Sequence, residues 1–140
     1  MHAASTRFIA LTSFVLALVA CGGDSTPPPD CVGSSCSCPA GTSCDIGDSG
    51  CSGASCTLAC TNDNSCSGTC GASCSVDCSG MSDCDLVVGA SSSVNCSDGS
   101  TCTVRCTGSC SLSCGTGSTC QIQCPGDSAP RPVVEGATCS

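Results

Sequence analysis

Cysteine is the residue with the greatest capacity for chemistry in this chain, and it recurs at regular intervals. The segment CTVRCTGSCSLSC, residues 102–114, has a cysteine at every fourth position. Cysteines at such spacing can form disulfides or bind a metal ion as thiolates. Zinc sites favour C-x2-C pairs or added histidine, whereas this chain has one C-x-C, at Cys36 and Cys38, and a single histidine, His2. We therefore predict disulfides, with no metal site and no other cofactor.

Other residues that could do chemistry are few. Asp83 and Asp85 lie on the same side of a predicted strand about 7 Å apart, a separation that inverting glycosidases use, but two solvated turn acids are the simpler interpretation. The segment TNDN, residues 61–64, offers oxygen ligands that suit calcium, although a plain Asx turn explains it better. Arg105 is expected to be an exposed strand residue. We predict no catalytic residues and no enzymatic activity.

The composition shows what must hold the fold together. The 140 residues include 21 cysteines but only two phenylalanines and neither tryptophan nor tyrosine. One domain is expected at this length, and so high a cysteine content is typical of a disulfide scaffold. A chain with few large apolar side chains cannot bury a sizeable core, and small domains of that kind depend on cross-links.

The cysteines belong to a repeat with a period of 18 residues. The triplet GAS recurs at residues 53–55, 71–73 and 89–91, and about four repeats fit within residues 44–126. Aliphatic residues recur in the same register, in one column at Leu58, Val76, Val94 and Leu112 and in another at Leu86, Val104 and Ile122. Within a repeat, apolar or small residues alternate with polar ones, which predicts strands with one buried face.

These patterns predict an all-β fold, a flattened β-solenoid with 18-residue coils. Each coil would consist of a strand, a tight turn, a second strand and a wider turn, and its strands would pair with those of the next coil. The alternative is a string of disulfide-linked β-hairpins. Because a lone hairpin is only marginally stable in water, and matching aliphatic columns favour stacking, we prefer the solenoid.

One irregularity bears on how the cysteines pair. Val88 and Ser92 occupy positions where neighbouring repeats have cysteines. Two cysteines lost together remove one bond without leaving an unpaired thiol, which favours disulfides within one coil. Folding each coil flat then pairs Cys66 with Cys78, Cys70 with Cys74, Cys84 with Cys96, Cys102 with Cys114, and Cys106 with Cys110. The sequence does not fix the partners of the cysteines in residues 31–60 and 120–139.

The amino-terminal segment resembles the precursor of a bacterial lipoprotein. An apolar run over residues 8–20 follows Arg7; it is shorter than the roughly 20 residues of a membrane-spanning helix and is typical of an export signal. It ends in Leu18-Val19-Ala20-Cys21, which resembles the lipobox of that family. The resemblance implies that residues 1–20 are removed and that Cys21 carries acyl chains such as palmitate. An ordinary secretory signal and a retained anchor are the alternatives.

The chain therefore divides into five segments. Residues 1–20 are the signal peptide, 21–30 a lipidated cysteine with a proline-rich tether, 31–59 an irregular cap with the first coil, 60–126 the repeats, and 127–140 a tail. Lipidation implies attachment to a bacterial membrane, in the outer membrane or at the cell surface. Without the signal, Arg105 and Arg131 are the only basic side chains against 11 acids, which excludes nucleic acid as a partner.

Two functional classes fit this organisation. The first is a non-enzymatic lipoprotein of the cell envelope with a rigid structural or protective body. The alternative is a surface binding module, or adhesin, that recognises a glycan or a protein. The body loosely resembles the cystine-linked solenoids of beetle antifreeze proteins, but those have shorter coils and a regular Thr-x-Thr array. The outward column of the repeats is mixed, with Ser67, Asp85, Thr103 and Gln121, which favours the structural interpretation.

Overall fold

The computed structural model describes residues 29–49, 51 and 55–140, and these form a β-solenoid of about five turns. The strands are β1 (Asp30–Val32), β2 (Ser35–Ser37), β3 (Ser43–Asp45), β4 (Thr57–Cys60), β5 (Ser65–Cys70), β6 (Ser75–Cys78), β7 (Asp83–Val88), β8 (Ser92–Cys96), β9 (Thr101–Cys106), β10 (Cys110–Cys114), β11 (Thr119–Gln123), β12 (Arg131–Val133) and β13 (Gly136–Cys139). A short 3-10 helix, Ile46–Ser49, follows β3. The predicted all-β solenoid is confirmed.

The strands form two sheets, and the chain passes from one to the other twice in every coil. Sheet 1 has the order β1-β2-β4-β6-β8-β10-β13, and sheet 2 has the order β12-β11-β9-β7-β5-β3. From β2 to β11, neighbours within each sheet are parallel. Strand β6 pairs with β4 and β8, the equivalent strands of the adjacent coils. This pairing excludes a string of separate hairpins.

The strand register explains both the regular repeats and the irregular first one. From β4 onward equivalent residues are 18 apart, so that Leu58 lies opposite Val76. In the first coil the shift is 22 residues, because Ser43 of β3 lies opposite Ser65 of β5. The additional residues precede β4, in the part of the chain that contains the 3-10 helix. The first coil is therefore a longer loop of the same solenoid, which shifts its cysteines out of the 18-residue pattern.

Sulfur and two columns of aliphatic side chains, one from each sheet, fill the space between the two sheets. Among the described residues, 27 hydrophobic ones are buried, and 18 of these are cysteines. The other nine are Ile46, Leu58, Val76, Leu86, Val88, Val94, Val104, Leu112 and Ile122. Polar residues alternate with the buried ones along each strand and face outward, as in β7, where Leu86 is buried and Asp85 is exposed. The interior is therefore thin, with aliphatic groups at its centre and cysteines on both sides.

The tight turns, which join each sheet 2 strand to the following sheet 1 strand, stack too closely for larger residues. A Cβ atom placed on Gly89 would lie 2.6 Å from the carbonyl carbon of Gly71 in the preceding coil. A Cβ atom placed on Gly108 would lie 2.9 Å from the Cβ of Ala90. The recurrence of GAS is thus explained by backbone stacking between coils.

The wide turns, which join each sheet 1 strand to the next sheet 2 strand, point one polar side chain inward. Asn64 is 1% exposed; its Oδ1 accepts the Thr42 N–H at 3.2 Å, and its Nδ2 donates to the carbonyl oxygen of Cys38 at 3.1 Å. Its own N–H donates to the hydroxyl of Ser82, the equivalent residue of the next coil, at 3.3 Å. The residue before it, Asp63, has a φ of 58°, which directs the chain back toward sheet 2. These bonds tie three successive coils together at the wide turns.

The contribution of this side chain can be measured. Asn64→Ala leaves the Thr42 N–H and the Cys38 carbonyl without their side-chain partner, and we expect the free energy of unfolding to fall by about 1–3 kcal/mol. Ser65→Ala is the matched control, since the Ser65 side chain is exposed, and its effect should stay within about 0.5 kcal/mol. Denaturant titration of the oxidised proteins tests both values. Equal stability of the two variants would contradict the role of Asn64.

The segment predicted as a tail, residues 127–140, forms a cap on the last coil. Strand β12 pairs antiparallel with β11, and β13 pairs antiparallel with β10, so the cap adds one strand to each sheet. The Cys114 N–H also donates to the Glu135 carbonyl, at 2.6 Å. The repeat pattern ends before this cap, so periodicity could not reveal it. Strands β12 and β13 become the edge strands at this end of the solenoid, and their short length limits pairing with other chains.

Candidate functional site

Ten disulfides join all 20 cysteines from Cys31 to Cys139. They are Cys31–Cys36, Cys38–Cys44, Cys51–Cys56, Cys60–Cys66, Cys70–Cys74, Cys78–Cys84, Cys96–Cys102, Cys106–Cys110, Cys114–Cys120 and Cys124–Cys139. Stacking also brings sulfurs of successive coils together, since the three Sγ atoms of Cys60, Cys78 and Cys84 lie within 4.8 Å of one another. Because each of these sulfurs is held in a disulfide, the proximity reflects stacked cross-links.

The predicted disulfides across the tight turns are confirmed. Cys70 is joined to Cys74 with the Cα atoms 6.2 Å apart, and Cys106 is joined to Cys110 at 6.1 Å. Each connects the end of a sheet 2 strand to the start of the following sheet 1 strand. Both Cα distances fall within the usual range of about 4.4–6.8 Å for disulfides. These bonds fasten the two sheets together on one side of the core.

The other three predicted pairs are wrong. Cys66 is joined to Cys60 and not to Cys78, and Cys78 is joined to Cys84. The predicted Cys84–Cys96 and Cys102–Cys114 pairs are likewise replaced by Cys96–Cys102 and Cys114–Cys120. Each of these bonds spans a wide turn and links one coil to the next, on the side of the core opposite the tight turns.

The helical rise of the solenoid accounts for this error. A coil climbs by one strand spacing, about 4.8 Å, whereas a flat loop would return each strand to the level of its partner. Cys78 precedes Cys84 by six residues but follows Cys66 by 12, so by the time the chain reaches Cys78 it has risen closer to Cys84. The joint absence of cysteine at Val88 and Ser92 identified the bond across the tight turn. It carried no information about the other cysteines, because the predicted pairing within a coil and the observed pairing across the wide turns both leave no cysteine unpaired.

Hydrogen bonds to the coil below occupy the place of the missing disulfide. Val88 lies opposite Cys70 and Cys106 in sheet 2. Ser92 is 3% exposed, and its hydroxyl donates to the Gly71 carbonyl at 3.3 Å and accepts the Cys74 N–H at 3.1 Å. A buried hydroxyl with both partners is favourable, so this coil exchanges a covalent link between its own strands for a polar link to the preceding coil.

Restoring the cysteines should restore the bond. In the double variant Val88→Cys/Ser92→Cys, we expect a disulfide between positions 88 and 92, since the neighbouring coils hold Cys70–Cys74 and Cys106–Cys110 with Cα atoms 6.2 and 6.1 Å apart. Closing this loop removes about 2 kcal/mol of unfolded-chain entropy, which the lost Ser92 hydrogen bonds reduce by about 1 kcal/mol. Mass spectrometry without reduction should show no alkylatable thiol at positions 88 and 92. Two free thiols at these positions would contradict the geometry.

The charged and polar residues that could have served catalysis or calcium binding are solvent-facing or already bonded. Arg105 Nη1 donates to Asp85 Oδ1 at 2.6 Å, and the two side chains are 43% and 57% exposed. Asp83 is exposed at the start of β7. In TNDN, Asn64 is buried with its hydrogen-bond partners and Asp63 is exposed in a wide turn. The carboxylate pair and the turn are thus surface features of the solenoid.

A row of hydroxyl side chains crosses the outer face of sheet 1, and it was not predicted from the sequence. The strand register aligns Ser35, Thr57, Ser75, Ser93, Ser111 and Thr138. Part of the row lines an open concavity of about 520 Å³, together with Asp77 and Asn95, whose Nδ2 donates to Asp77 Oδ1 at 2.8 Å. The recurrence of Ser or Thr every 18 residues from Thr57 to Ser111 could have revealed this row. The mixed outward column considered from the sequence, which starts at Ser67, lies instead on sheet 2.

Cys21, the predicted lipidation site, lies outside the described residues. Within the described part of the chain, no helix is both long enough and apolar enough to cross a membrane. Comparison with known proteins finds no protein-family model, no curated protein and no solved structure that matches this chain. The function must therefore be inferred from the chain's own residues and geometry.

Proposed function

We propose that this chain is a non-enzymatic lipoprotein of the bacterial cell envelope whose cystine-linked solenoid is a rigid structural or protective body. The observation that carries the proposal is the combination of a lipobox, Leu18-Val19-Ala20-Cys21, with a body cross-linked by ten disulfides. Disulfides persist in the oxidising compartments outside the cytoplasm, which agrees with an exported protein.

The position of the first strand supports an anchoring role for the tether. Strand β1, which starts at Asp30, is the edge strand of sheet 1. The segment that carries Cys21 therefore joins the body at one end of the solenoid, and the C-terminal cap lies at the opposite end. Seven strands at about 4.8 Å spacing give sheet 1 a length of roughly 30 Å. In the proposed arrangement the first coil lies nearest the membrane and the cap points away from it.

The charge of the body agrees with attachment through lipid. Arg105 and Arg131 are the only basic side chains after residue 20, against 11 acidic ones. Anionic lipid surfaces attract clusters of Lys and Arg, and this body offers none. Membrane attachment would therefore depend on the acyl chains of Cys21, where several chains on one residue give firm anchoring.

The proposal is tested by comparing the full chain with its Cys21→Ser variant in a bacterial host that processes lipoproteins. We expect the unaltered chain in the membrane fraction, with a mass that corresponds to residues 21–140 plus a diacylglyceryl group and an amide-linked acyl chain. Cys21→Ser should abolish lipidation and membrane retention. A mature chain that begins at another residue, or that carries no lipid, would contradict the proposal.

A second candidate function is glycan binding, favoured by the hydroxyl row and concavity on the outer face of sheet 1. Hydroxyls, Asn95 and Asp77 are groups that hydrogen-bond to sugar hydroxyls, although the described residues include no aromatic side chain to stack on a sugar ring. A glycan array probed with an oxidised, lipid-free body tests this candidate. Binding that disappears in Ser93→Tyr, which fills the concavity, would favour it over a purely structural role.

A further inference from the structure

We propose that Cys124–Cys139 is a redox-labile clasp, which external thiols open before the other nine disulfides and which thereby releases the C-terminal cap. This disulfide spans 15 residues, whereas each of the others spans four to six. The loop that it closes contains β12 and the beginning of β13. It is also the covalent link that holds β13, the last strand of sheet 1, to the end of β11 in sheet 2. The inference concerns the fold itself and holds whether or not the chain is lipidated.

Exposure separates two of the ten disulfides from the rest. Among the described half-cystines, only two are not buried: Cys31, which is exposed, and Cys124, which is half-buried against the core. Access alone therefore favours Cys31, and another property must favour Cys124. Thiol–disulfide exchange requires a thiolate to reach a disulfide sulfur directly. The eight disulfides that lie between the sheets with both halves buried are therefore protected. The candidates for first attack are Cys31–Cys36 at one end of the solenoid and Cys124–Cys139 at the other.

Charge distinguishes these two candidates. Arg131 Nη2 lies 3.8 Å from the Sγ of Cys124, and the guanidinium is one of two basic groups in the described part of the chain. The chain has a net charge of −8, which repels thiolates, whereas a cation beside Cys124 attracts the thiolate that approaches its sulfur. Asp127 also lies here, where it accepts the Cys124 N–H at 3.0 Å and lies 3.8 Å from Arg131 Nε. At the other end, Cys31 follows the acidic Asp30.

The exchange proceeds in two balanced steps. The thiolate of a monothiol attacks Cys124 Sγ, the bond to Cys139 breaks, and Cys139 leaves as a thiolate that takes a proton from solvent. A second thiolate then attacks the sulfur of the first monothiol. This step forms the disulfide of the reductant and frees Cys124. Two electrons pass from two monothiols to the clasp, which ends as two thiols.

Opening the clasp leaves the cap held by strand hydrogen bonds and by two partly buried side chains, Val133 and Ala137, that pack against the core. Strand β12 covers three residues and β13 covers four, and the outward Val134 is 88% exposed, so it adds no buried contact. Short strands without a covalent link separate readily. Their departure would expose the edges of β10 and β11, and unpaired strand edges are templates for pairing with another chain.

The test uses the full oxidised chain with limiting glutathione, followed by iodoacetamide and peptide mapping. We expect Cys124 and Cys139 to be reduced, and therefore alkylated, about fivefold faster than Cys31 and Cys36. Arg131→Gln should slow the reaction about fivefold, because the attraction between two unit charges about 4 Å apart in water changes a rate by that factor. Arg131→Lys keeps the positive charge and should therefore keep most of the rate. Added salt should reduce the difference in the rate of reduction between the unaltered chain and Arg131→Gln, because salt screens the charge of Arg131.

Amide hydrogen exchange on the selectively reduced protein supplies an independent readout. Exchange should accelerate at residues 131–139 and stay unchanged in β7 and β9. Three results would each overturn the inference: earlier reduction of another disulfide, an Arg131→Gln rate within twofold of the unaltered chain, or unchanged exchange in the cap after selective reduction. A variant that loses its other disulfides is identified by the same peptide map, so failure to fold is not mistaken for clasp opening.

Discussion

Complete reduction of the ten disulfides will unfold the body in buffer that contains no denaturant. In the part of the body that the structure describes, cysteines are 18 of the 27 buried hydrophobic residues, and the other nine are aliphatic. Ordering each residue's backbone costs about 1–2 kcal/mol, whereas burial of one aliphatic side chain returns about 1.5–3 kcal/mol. Nine such side chains cannot offset the ordering of more than 100 residues, the number that follow the tether.

Circular dichroism of the reduced and alkylated chain measures this outcome. We expect the β-sheet signal to be lost and replaced by that of an unfolded chain, and we expect it to return when the unalkylated chain is reoxidised. Oxidised protein carried through the same buffers serves as the control. A reduced, alkylated chain that keeps its β-sheet signal would show that hydrogen bonds and aliphatic packing suffice without cystines.

Removal of a single central disulfide should be the most destabilising local change. In Cys78→Ala/Cys84→Ala, the lost loop closure accounts for about 2 kcal/mol, and the space left by two buried sulfurs should cost about 1 kcal/mol each. We therefore expect the free energy of unfolding to fall by about 4 kcal/mol. Cys31→Ala/Cys36→Ala is the matched control, because it opens a loop of similar length at the end of the solenoid where Cys31 is exposed.

Guanidinium titration of both double variants under oxidising conditions provides the comparison, and the control should lose no more than about 2 kcal/mol. The single variant Cys78→Ala adds information about connectivity, since it should leave the free thiol at Cys84. A thiol at Cys66 in that variant, or equal losses in the two double variants, would contradict the structural account of the wide-turn disulfides.

Periodicity was sufficient to predict the solenoid because every coil places the same residue types in the same register. Leu58 and Val76 share a column in the sequence and lie opposite each other in sheet 1. The disulfide across the tight turn was also predictable, because the paired substitution at Val88 and Ser92 marks its two ends. The replacement interaction was not, since the Ser92 hydroxyl bonds to Gly71 and Cys74 across coils, and that contact requires the stacking distance.

Two kinds of feature could not be predicted from the sequence. One depends on the helical rise from coil to coil, and the other lies at the two ends of the repeat region. The pairing of Cys78 across the wide turn depends on how far the chain has moved along the solenoid axis after Cys66. The spacing of cysteines in the sequence gives no information about this displacement. The cap over residues 131–139 lacks the 18-residue pattern, so its pairing with β10 and β11 arises from tertiary contact. The first coil, with a 22-residue shift between Ser43 and Ser65, accommodates four additional residues that disrupt the period without disrupting the sheets.

The central claim is that disulfides alternate between tight turns within a coil and wide turns that join successive coils. Cleavage of the oxidised chain on the amino side of aspartate tests it, because residues 77–82 then contain only Cys78, residues 83–84 only Cys84, and residues 85–97 only Cys96. We predict that peptide 77–82 is joined to peptide 83–84, and that peptide 85–97 is joined to the fragment that begins at Asp98. A bond between peptides 83–84 and 85–97 would contradict the account.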